Sequence, residues 1–313
     1  MSLRDDLEPK KILGHRINVK FDFGDGSVRH FDGFVTRFAL GMGQGRRFLY
    51  RLHARPALWF LTRTSDCRIF QGDNLLKILQ KVLEEGHNRN IKPDPRLLDK
   101  SVYKDWEYCV QYRESDFSFV ARLMEQEGMY WFHEHSASGH QLVLIDDKSK
   151  HVAIPGGDTF QYVPESPGQV HTHNVITHWR QVQQVQPAVV TLKDYDWLKP
   201  ASEQKVSRSP EHEHEHGQAS AKYEVFDYPG DFDPADGQAL AQGEPYVAAR
   251  AEEFAVDSVV LHGQGLLHRF QVGQRFKMTH HPRRDQNGEY LIIGTEYGFL
   301  EPTLEAASNR REL

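Results

Sequence analysis

Two histidine-rich segments contain the residues of this chain that are best suited to metal or acid–base chemistry. In the first, His212, Glu213 and His216 match the HExxH pattern, in which two histidines one helical turn apart bind zinc and the glutamate activates water. That chemistry needs a helix with a buried apolar side. Here Ser-Arg-Ser-Pro precedes the segment and Gly-Gln follows it. This composition favours a solvated loop, or one that scavenges divalent metal weakly.

The second segment is His133-Glu134-His135, at the end of an apolar run. In a strand, His133 and His135 share one face and could bind one ion, with His140 as the next histidine along the sequence. Strand-end histidines that face the surface are far commoner than zinc ligands. We therefore predict the polar end of a strand here, and for the whole chain neither a catalytic residue nor a metal or cofactor site.

Charge and cysteine content restrict the function classes. The net charge of the 313 residues is −6 and no Lys/Arg stripe is present, which argues against nucleic-acid binding. The two cysteines, Cys67 and Cys109, lack metal-ligand spacing and are predicted to be buried, reduced thiols, which suits the cytosol. No apolar run approaches the roughly 20 residues of a membrane span, and residues 1–11 lack the apolar core of a secretion signal. Any export must therefore use another route.

The elements that position these residues begin with strands. Residues 15–23 alternate between apolar and polar side chains, which is typical of a half-buried antiparallel strand. A meander of strands and turns follows and is closed by Pro56. Residues 58–61, Leu-Trp-Phe-Leu, predict a core strand.

Helical spacing of apolar residues appears at two later places. Asp73 is the predicted N-cap of a first helix, and Ser115 is the predicted N-cap of a second. Residues 130–135 and 140–145, joined by Ser-Ala-Ser-Gly, predict a hairpin. Pro245 is the predicted first residue of another helix, because its missing N–H costs nothing there.

One internal repeat links the two ends of the chain. Residues 14–19, Gly-His-Arg-Ile-Asn-Val, resemble residues 273–278, Gly-Gln-Arg-Phe-Lys-Met, and each is followed by a turn and a second strand. When the second strands of the two repeats are aligned, Val35 corresponds to Gly294. We interpret this as two related β modules, with chance similarity between two strand-turn-strand units as the alternative.

The predicted fold is mainly β, with an α+β unit inserted between the two β modules. The predicted divisions are a first β-barrel module, the α+β unit, a linker with short strands, and a second β-barrel module with one helix. They cover residues 1–70, 71–150, 151–220 and 221–313, respectively.

Six segments, in order along the chain, resemble the VgrG family of type VI secretion tip proteins. They are residues 14–38, 56–71, 109–135, 190–200, 223–232 and 276–297. This resemblance covers nearly the whole chain and implies a fold like the tail hub of contractile phages, with two related β-barrels flanking smaller α/β elements. Family members usually have more strands before the position of Leu13, so the first barrel is expected to be incomplete. They also continue past Leu300 into a further barrel and a long trimeric β-needle.

The resemblance also implies a function. A non-catalytic homotrimer would match its six similar barrels to the hexameric tube protein Hcp and join the tube to the needle. It would assemble in the bacterial cytoplasm and be secreted by the type VI apparatus, without a signal peptide, when the sheath contracts. Effector or adaptor proteins are further expected partners, whereas nucleic acid and membrane insertion are not. The alternative is an enzyme, either a zinc-dependent hydrolase using His212, Glu213 and His216 or a hub-associated cell-wall-degrading enzyme.

Overall fold

The computed structural model describes residues 4–24, 26–41, 48–84, 91–166, 174–197, 199–211, 223–231 and 239–299. Over these ranges the chain is mainly β, with an α+β unit in its first half, so the predicted fold class is confirmed. No helix in the described ranges is both long enough and apolar enough to span a membrane.

The first sheet is antiparallel, in the order β1-β2-β3. Polar and apolar residues alternate along its first strand as predicted. Its apolar side chains are only partly buried, however, and Val19 is 39% exposed. Val35 is the one buried apolar side chain on the three strands that the structure describes here. This sheet therefore has almost no hydrophobic core of its own. Its strands are β1 (Arg16–Asp22), β2 (Val28–Leu40) and β3 (Tyr50–Arg55).

The predicted core strand at residues 58–61 is wrong, because Ala57–Arg63 form a 3₁₀-helix. Leu58 and Leu61 are both buried. A spacing of three places two residues on the same side of a 3₁₀-helix, whereas in a strand it would place them on opposite faces. Burial of both leucines therefore favours the helix.

The α+β unit contains the largest hydrophobic core, which includes Leu61, Ile78 and Phe119. Two sheets supply its strands: β4 pairs with β6, and a three-stranded sheet has the order β5-β8-β7, in which β7 and β8 form the predicted hairpin. The elements are β4 (Ser65–Phe70), α1 (Leu75–Glu84), β5 (Asp94–Arg96), β6 (Cys109–Ser115), α2 (Asp116–Gln126), β7 (Tyr130–His135) and β8 (His140–Ile145).

Of the two helix N-caps predicted in this unit, one is confirmed and the other is wrong. Ser115 caps α2 as predicted, since its hydroxyl accepts a hydrogen bond from the Ser118 N–H at 3.0 Å. The prediction of Asp73 for α1 is wrong by one residue. The side chain of Asn74 accepts from the Lys77 N–H at 3.1 Å, while Asp73 accepts from the ammonium of Lys81.

The second half of the chain contains a six-stranded sheet and a smaller three-stranded sheet, in the order β13-β12-β14. Phe160, Ile176 and Met278 are fully buried in the core of the larger sheet. The strands are β9 (Val152–Ala153), β10 (Thr159–Tyr162), β11 (Val175–Gln183), β12 (Val189–Asp194), β13 (Gln204–Arg208), β14 (Glu224–Asp227), β15 (Val259–Gly265), β16 (Gln274–Thr279) and β17 (Glu289–Leu291).

Residues 152–183, in the predicted linker, supply three strands of the larger sheet, where they pair with strands from residues 259–291. The division of the chain into four parts stays a prediction. The last helix, α3 (Ala239–Val256), contains Pro245 in its interior, so the prediction that Pro245 begins a helix is wrong. Apart from Gly243, the residues before the proline are strong helix formers, and the loss of one backbone hydrogen bond is offset because Tyr246 and Val247 pack against β12 and β13.

The internal repeat is reproduced in backbone geometry. Gly14 and Gly273 both have positive φ, 75° and 83°. The Gly14 N–H donates to the Val35 carbonyl at 2.8 Å, and the Val35 N–H donates back to His15. In the second module Gly273 donates to Ile292 at 2.9 Å, and Ile292 donates back to Gln274. Val35 thus corresponds to Ile292, and not to Gly294 as the sequence match indicates. The reason is that the segment between the glycine and its hydrogen-bond partner is two residues shorter in the second module.

Candidate assembly interface

His133, His135 and His140 lie where the β7–β8 hairpin contacts the first sheet. His140 Nδ1 donates to the Asp32 carboxylate at 2.6 Å, while His140 Nε2 accepts from the Ala57 N–H at 2.9 Å. This pair of bonds requires a neutral ring protonated at Nδ1. The Asp32 N–H donates to His135 Nδ1 at 3.1 Å. The histidines therefore join two sheets that are more than 100 residues apart in sequence.

Asp32 is the centre of this contact, and its side chain is fully buried. Arg16 and Asn18 on β1 donate to its carboxylate at 2.8 and 3.0 Å. Burial disfavours the charged form, but the hydrogen bonds from Arg16, His140 and Asn18 together outweigh it and lower the pKa of Asp32. The sequence gives no local signal for this role, because the partners are distant in the chain.

The other two histidines are disfavoured as cations. Burial, reinforced by the nearby rings of His140 and His135, lowers the pKa of His133 to about 4. Burial is also the main cause of the lowered pKa of His135. Within the described part of the chain, no hydrogen-bond partner lies near His133 Nε2. His133 is thus held as a neutral ring between the sheets.

Metal binding by these residues has no geometric support. Over the ranges that the structure describes, no group of three or more His, Cys, Asp or Glu side chains is arranged to hold a metal ion. The HExxH residues His212, Glu213 and His216 lie outside the described residues. The predicted burial of the cysteines is correct for Cys109 and wrong for Cys67, which is exposed. Burial raises the pKa of Cys109 to about 11, which makes the thiol unreactive.

A second contact joins the first sheet to the C-terminal strands. The Arg29 guanidinium donates to the carbonyls of His268 and Phe270 and lies 4.6 Å from the ring centroid of Tyr297. Burial lowers the pKa of Arg29. The rings of Phe21 and Phe299 stack at 3.8 Å. Residues from the end of the described chain therefore cover part of the apolar face of the first sheet.

An exposed basic surface lies on the opposite edge of the first sheet, and we call it the basic β3 surface. Arg51, His53 and Arg55 alternate along β3 and so share one face. Arg37 pairs across the sheet with His53, and Arg63 stacks on Trp59 at 4.6 Å. The surface is formed by the exposed residues Arg37, Arg51, His53, Arg55 and Arg63.

An acidic cleft of about 410 Å³ lies between the α+β unit and the β12–β14 sheet. Its lining combines carboxylates with aromatic rings, and Tyr108 and Trp197 are both more than half exposed. Burial, followed by the charge of Asp194, raises the pKa of Asp231. Arg122 also lines the cleft, but its guanidinium donates to Glu114 at 2.8 Å. The residues that define the acidic cleft are Glu107, Tyr108, Asp194, Trp197 and Asp231.

Comparison with known proteins places this fold. The model of the phage tail baseplate hub family (GPD) matches residues 1–301. Two relatives are type VI secretion system spike proteins of Pseudomonas aeruginosa. VgrG1b is 35% identical over 97% of this chain, and VgrG1a is 33% identical over 98% of it. The chain spans 39% and 46% of the length of these two relatives.

Two solved structures share the fold. One is the E. coli c3393 protein, described as a component of the type VI secretion system with structural similarity to the T4 bacteriophage tail proteins gp27 and gp5. It has a TM-score of 0.60 and 17% identity, over 95% of this chain and 69% of that one. The other is a tail protein from Neisseria meningitidis MC58, with a TM-score of 0.58 and 12% identity, over 90% and 86% of the two chains. The chain belongs to the phage tail baseplate hub family and, within it, is a relative of the VgrG spike proteins.

Proposed function

We propose that this chain is the structural, non-catalytic hub of a type VI secretion spike. It forms a homotrimer that joins the Hcp tube to the needle and is expelled when the sheath contracts. It assembles in the bacterial cytoplasm and leaves through the type VI apparatus without a signal peptide. The single observation that carries this proposal is the match of the hub family along residues 1–301.

The surface of the chain supports an assembly role. The first sheet buries one apolar side chain on its described strands but exposes Val19, Val28, Leu40 and Leu52. Val19 and Val28 lie on opposite faces of the sheet, so apolar side chains are exposed on both faces, and obligate interfaces, which resemble a domain core cut in half, cover side chains of this kind. The first sheet is therefore well suited to gain its missing core from a partner.

Charge supports the choice of partners. The chain carries a net charge of −6, which disfavours a nucleic-acid partner. Besides Hcp, effector or adaptor proteins are proposed partners, because the exposed apolar and aromatic side chains lie on several elements. No membrane insertion is proposed for this region.

Electron microscopy of the purified chain mixed with Hcp from the same organism tests the proposal. We expect rings of three hub chains at the ends of Hcp tubes, in a ratio of one hub trimer to one Hcp hexamer. Hcp alone and Hcp with an unrelated acidic protein are the controls. Tube ends without added density, at hub concentrations well above those of Hcp, would contradict the adaptor role.

The enzyme alternative has its own test, because it depends on residues outside the described ranges. Metal analysis of the untagged protein should find no stoichiometric zinc. Tightly held zinc, together with a hydrolytic activity that the Glu213→Ala variant loses, would replace the structural function with a zinc-dependent hydrolase. A cell-wall-degrading activity that persists in Glu213→Ala would instead support a different hub-associated enzyme.

A further inference from the structure

A cavity of about 220 Å³ lies where the first sheet meets the second module, and we call it the basic cavity. Two arginines and three histidines line it, and none of its described lining residues is an aspartate or a glutamate. Cationic groups that converge on a cavity without carboxylates favour the binding of an anion. The polar residues that define the basic cavity are Arg29, His30, His135, His268, Arg269 and Gln274.

The two arginines of the cavity have hydrogen-bond donors to spare. Nη1 of Arg29, on β2, donates to two backbone carbonyls of the second module. Nη2 of Arg269 donates to two carbonyls of residues 155–157. Across the described ranges, no hydrogen bond is made by Nε or Nη2 of Arg29, or by Nε or Nη1 of Arg269. These donors are therefore available to a ligand.

The charge of Arg29 also lacks a counter-charge. Neither Arg29 nor Arg269 has a carboxylate within ion-pair distance among the residues that the structure describes. Burial lowers the pKa of Arg29, so its surroundings disfavour the cation. The rings of Tyr297 and Phe31, 4.6 and 5.2 Å from the guanidinium carbon, offset this cost in part. Buried charges are usually paired, and an anion in the cavity would supply the missing charge.

Gln274 offers a further donor at the same cavity. Its Oε1 is buried and has no hydrogen-bond partner among the described residues. Rotating the amide group by half a turn therefore breaks no hydrogen bond of Oε1 and puts the NH₂ group in its place. The cavity then combines two guanidinium groups with a neutral amide donor.

We propose that the basic cavity binds a phosphate group, carried by inorganic phosphate or by a small phosphate monoester. A phosphate monoester has about −1.5 to −2 charges near neutral pH, which matches the two guanidinium groups. Its several oxygens can accept from donors that approach from different directions. The cavity is smaller than pockets for drug-sized ligands, which measure about 300–1,000 Å³, so the ligand is small.

A phosphate at this position joins the two modules. Arg29 belongs to the first sheet, whereas Arg269 and Gln274 belong to the second module. The bound group therefore strengthens a contact on which the first sheet depends. This site goes beyond the hub function and does not require it.

Isothermal titration calorimetry of the full chain with sodium phosphate, at constant ionic strength set with sodium chloride, tests the site. We expect one phosphate per chain and a saturable rise in the melting temperature, with no such rise for chloride alone. Arg29→Gln and Arg269→Gln should each raise the phosphate dissociation constant about tenfold, because each loses charged hydrogen bonds. Arg51→Gln is the matched control, since it removes an exposed arginine outside the cavity and should leave the constant unchanged.

A titration with ribose 5-phosphate separates the two sources of the group. Tighter binding than inorganic phosphate identifies a monoester as the ligand, and weaker binding identifies the free ion. Circular dichroism shows which variants are folded, and Gln274→Leu, expected to weaken binding about threefold, serves if an arginine variant does not fold. The absence of saturable binding to the wild-type chain would overturn the proposal. Phosphate binding that is unchanged in folded Arg269→Gln and Gln274→Leu proteins would also overturn it, and both results would leave the hub function standing.

Discussion

The two β modules begin with the same local structure and differ in what they bury. Gly14 and Gly273 precede β1 and β16 with similar positive φ values and the same pair of reciprocal hydrogen bonds. Three positions after Arg16 and Arg275, however, the two side chains lie in different environments. Met278 is fully buried, whereas its counterpart Val19 is 39% exposed.

This difference shows that strand pairing and core formation are separate requirements. The six-stranded sheet has its own core around Phe160 and Ile176. The first sheet is instead held by polar contacts through Asp32 and by rings from the end of the described chain. A three-stranded sheet with one buried apolar residue is marginal alone, so the first module depends on neighbours.

The largest expected effect is in the core of the second module. Met278→Thr removes a fully buried apolar side chain and places a hydroxyl in its site, so it should lower the free energy of unfolding by about 3–5 kcal/mol. Urea unfolding followed by circular dichroism measures the change. A loss below about 1 kcal/mol would show that this core is less important than its burial indicates.

Asp32→Asn should have the next largest effect. It removes the buried charge that Arg16, Asn18 and His140 bind, and breaking such a network costs about 2–4 kcal/mol. Asp22→Asn is the matched control on the same sheet, since its side chain is 61% exposed and lies 3.8 Å from Lys20. Equal effects of the two changes would contradict a special role for Asp32.

The histidine contact predicts a dependence on pH. The unfolded chain protonates His133 near pH 6.5 and the folded chain only near pH 4, so the unfolded state binds more protons in between. Stability should therefore fall as pH drops through this window, by on the order of 2 kcal/mol. His135 acts in the same direction, and the loss from Asp32 begins only at lower pH. The His133→Leu variant should lose stability less steeply between pH 6.5 and pH 4, and an unchanged slope would rule out His133 as the source.

The smallest effect is expected at Val19, the counterpart of Met278. Val19→Thr keeps the β-branched shape at a partly exposed site, and so it should change the free energy of unfolding by less than about 0.5 kcal/mol. Urea unfolding at a protein concentration that keeps the chain monomeric measures it. If Val19→Thr destabilises the monomer as much as Met278→Thr does, the two modules are equally well packed and the comparison fails.

Features with a local physical cause could be predicted from the sequence. The Ser115 cap depends on one hydroxyl near one backbone N–H, and the β7–β8 hairpin depends on two short runs and their turn. The repeat at Gly14 and Gly273 is also local, since both positions need a left-handed backbone that glycine adopts easily.

Features decided by tertiary packing could not be predicted. Leu58 and Leu61 can both be buried if their segment forms a 3₁₀-helix, but not if it forms a strand. The four residues Leu-Trp-Phe-Leu alone do not show that both leucines are buried. Packing of Tyr246 against β12 and β13 similarly extends α3 through Pro245. The contact of Asp32 with His140 joins residues 108 positions apart, and no pattern within either segment indicates its partner.

Hydrogen–deuterium exchange at low and high protein concentration tests the central claim most directly, because it reports on both modules in one sample. The amides of β3 should exchange rapidly in the monomer and become protected as trimers form. The amides of β16 should be protected at both concentrations. Rapid exchange of β3 at every concentration, in a sample whose mass shows trimers, would contradict a first sheet that is completed by a neighbouring copy.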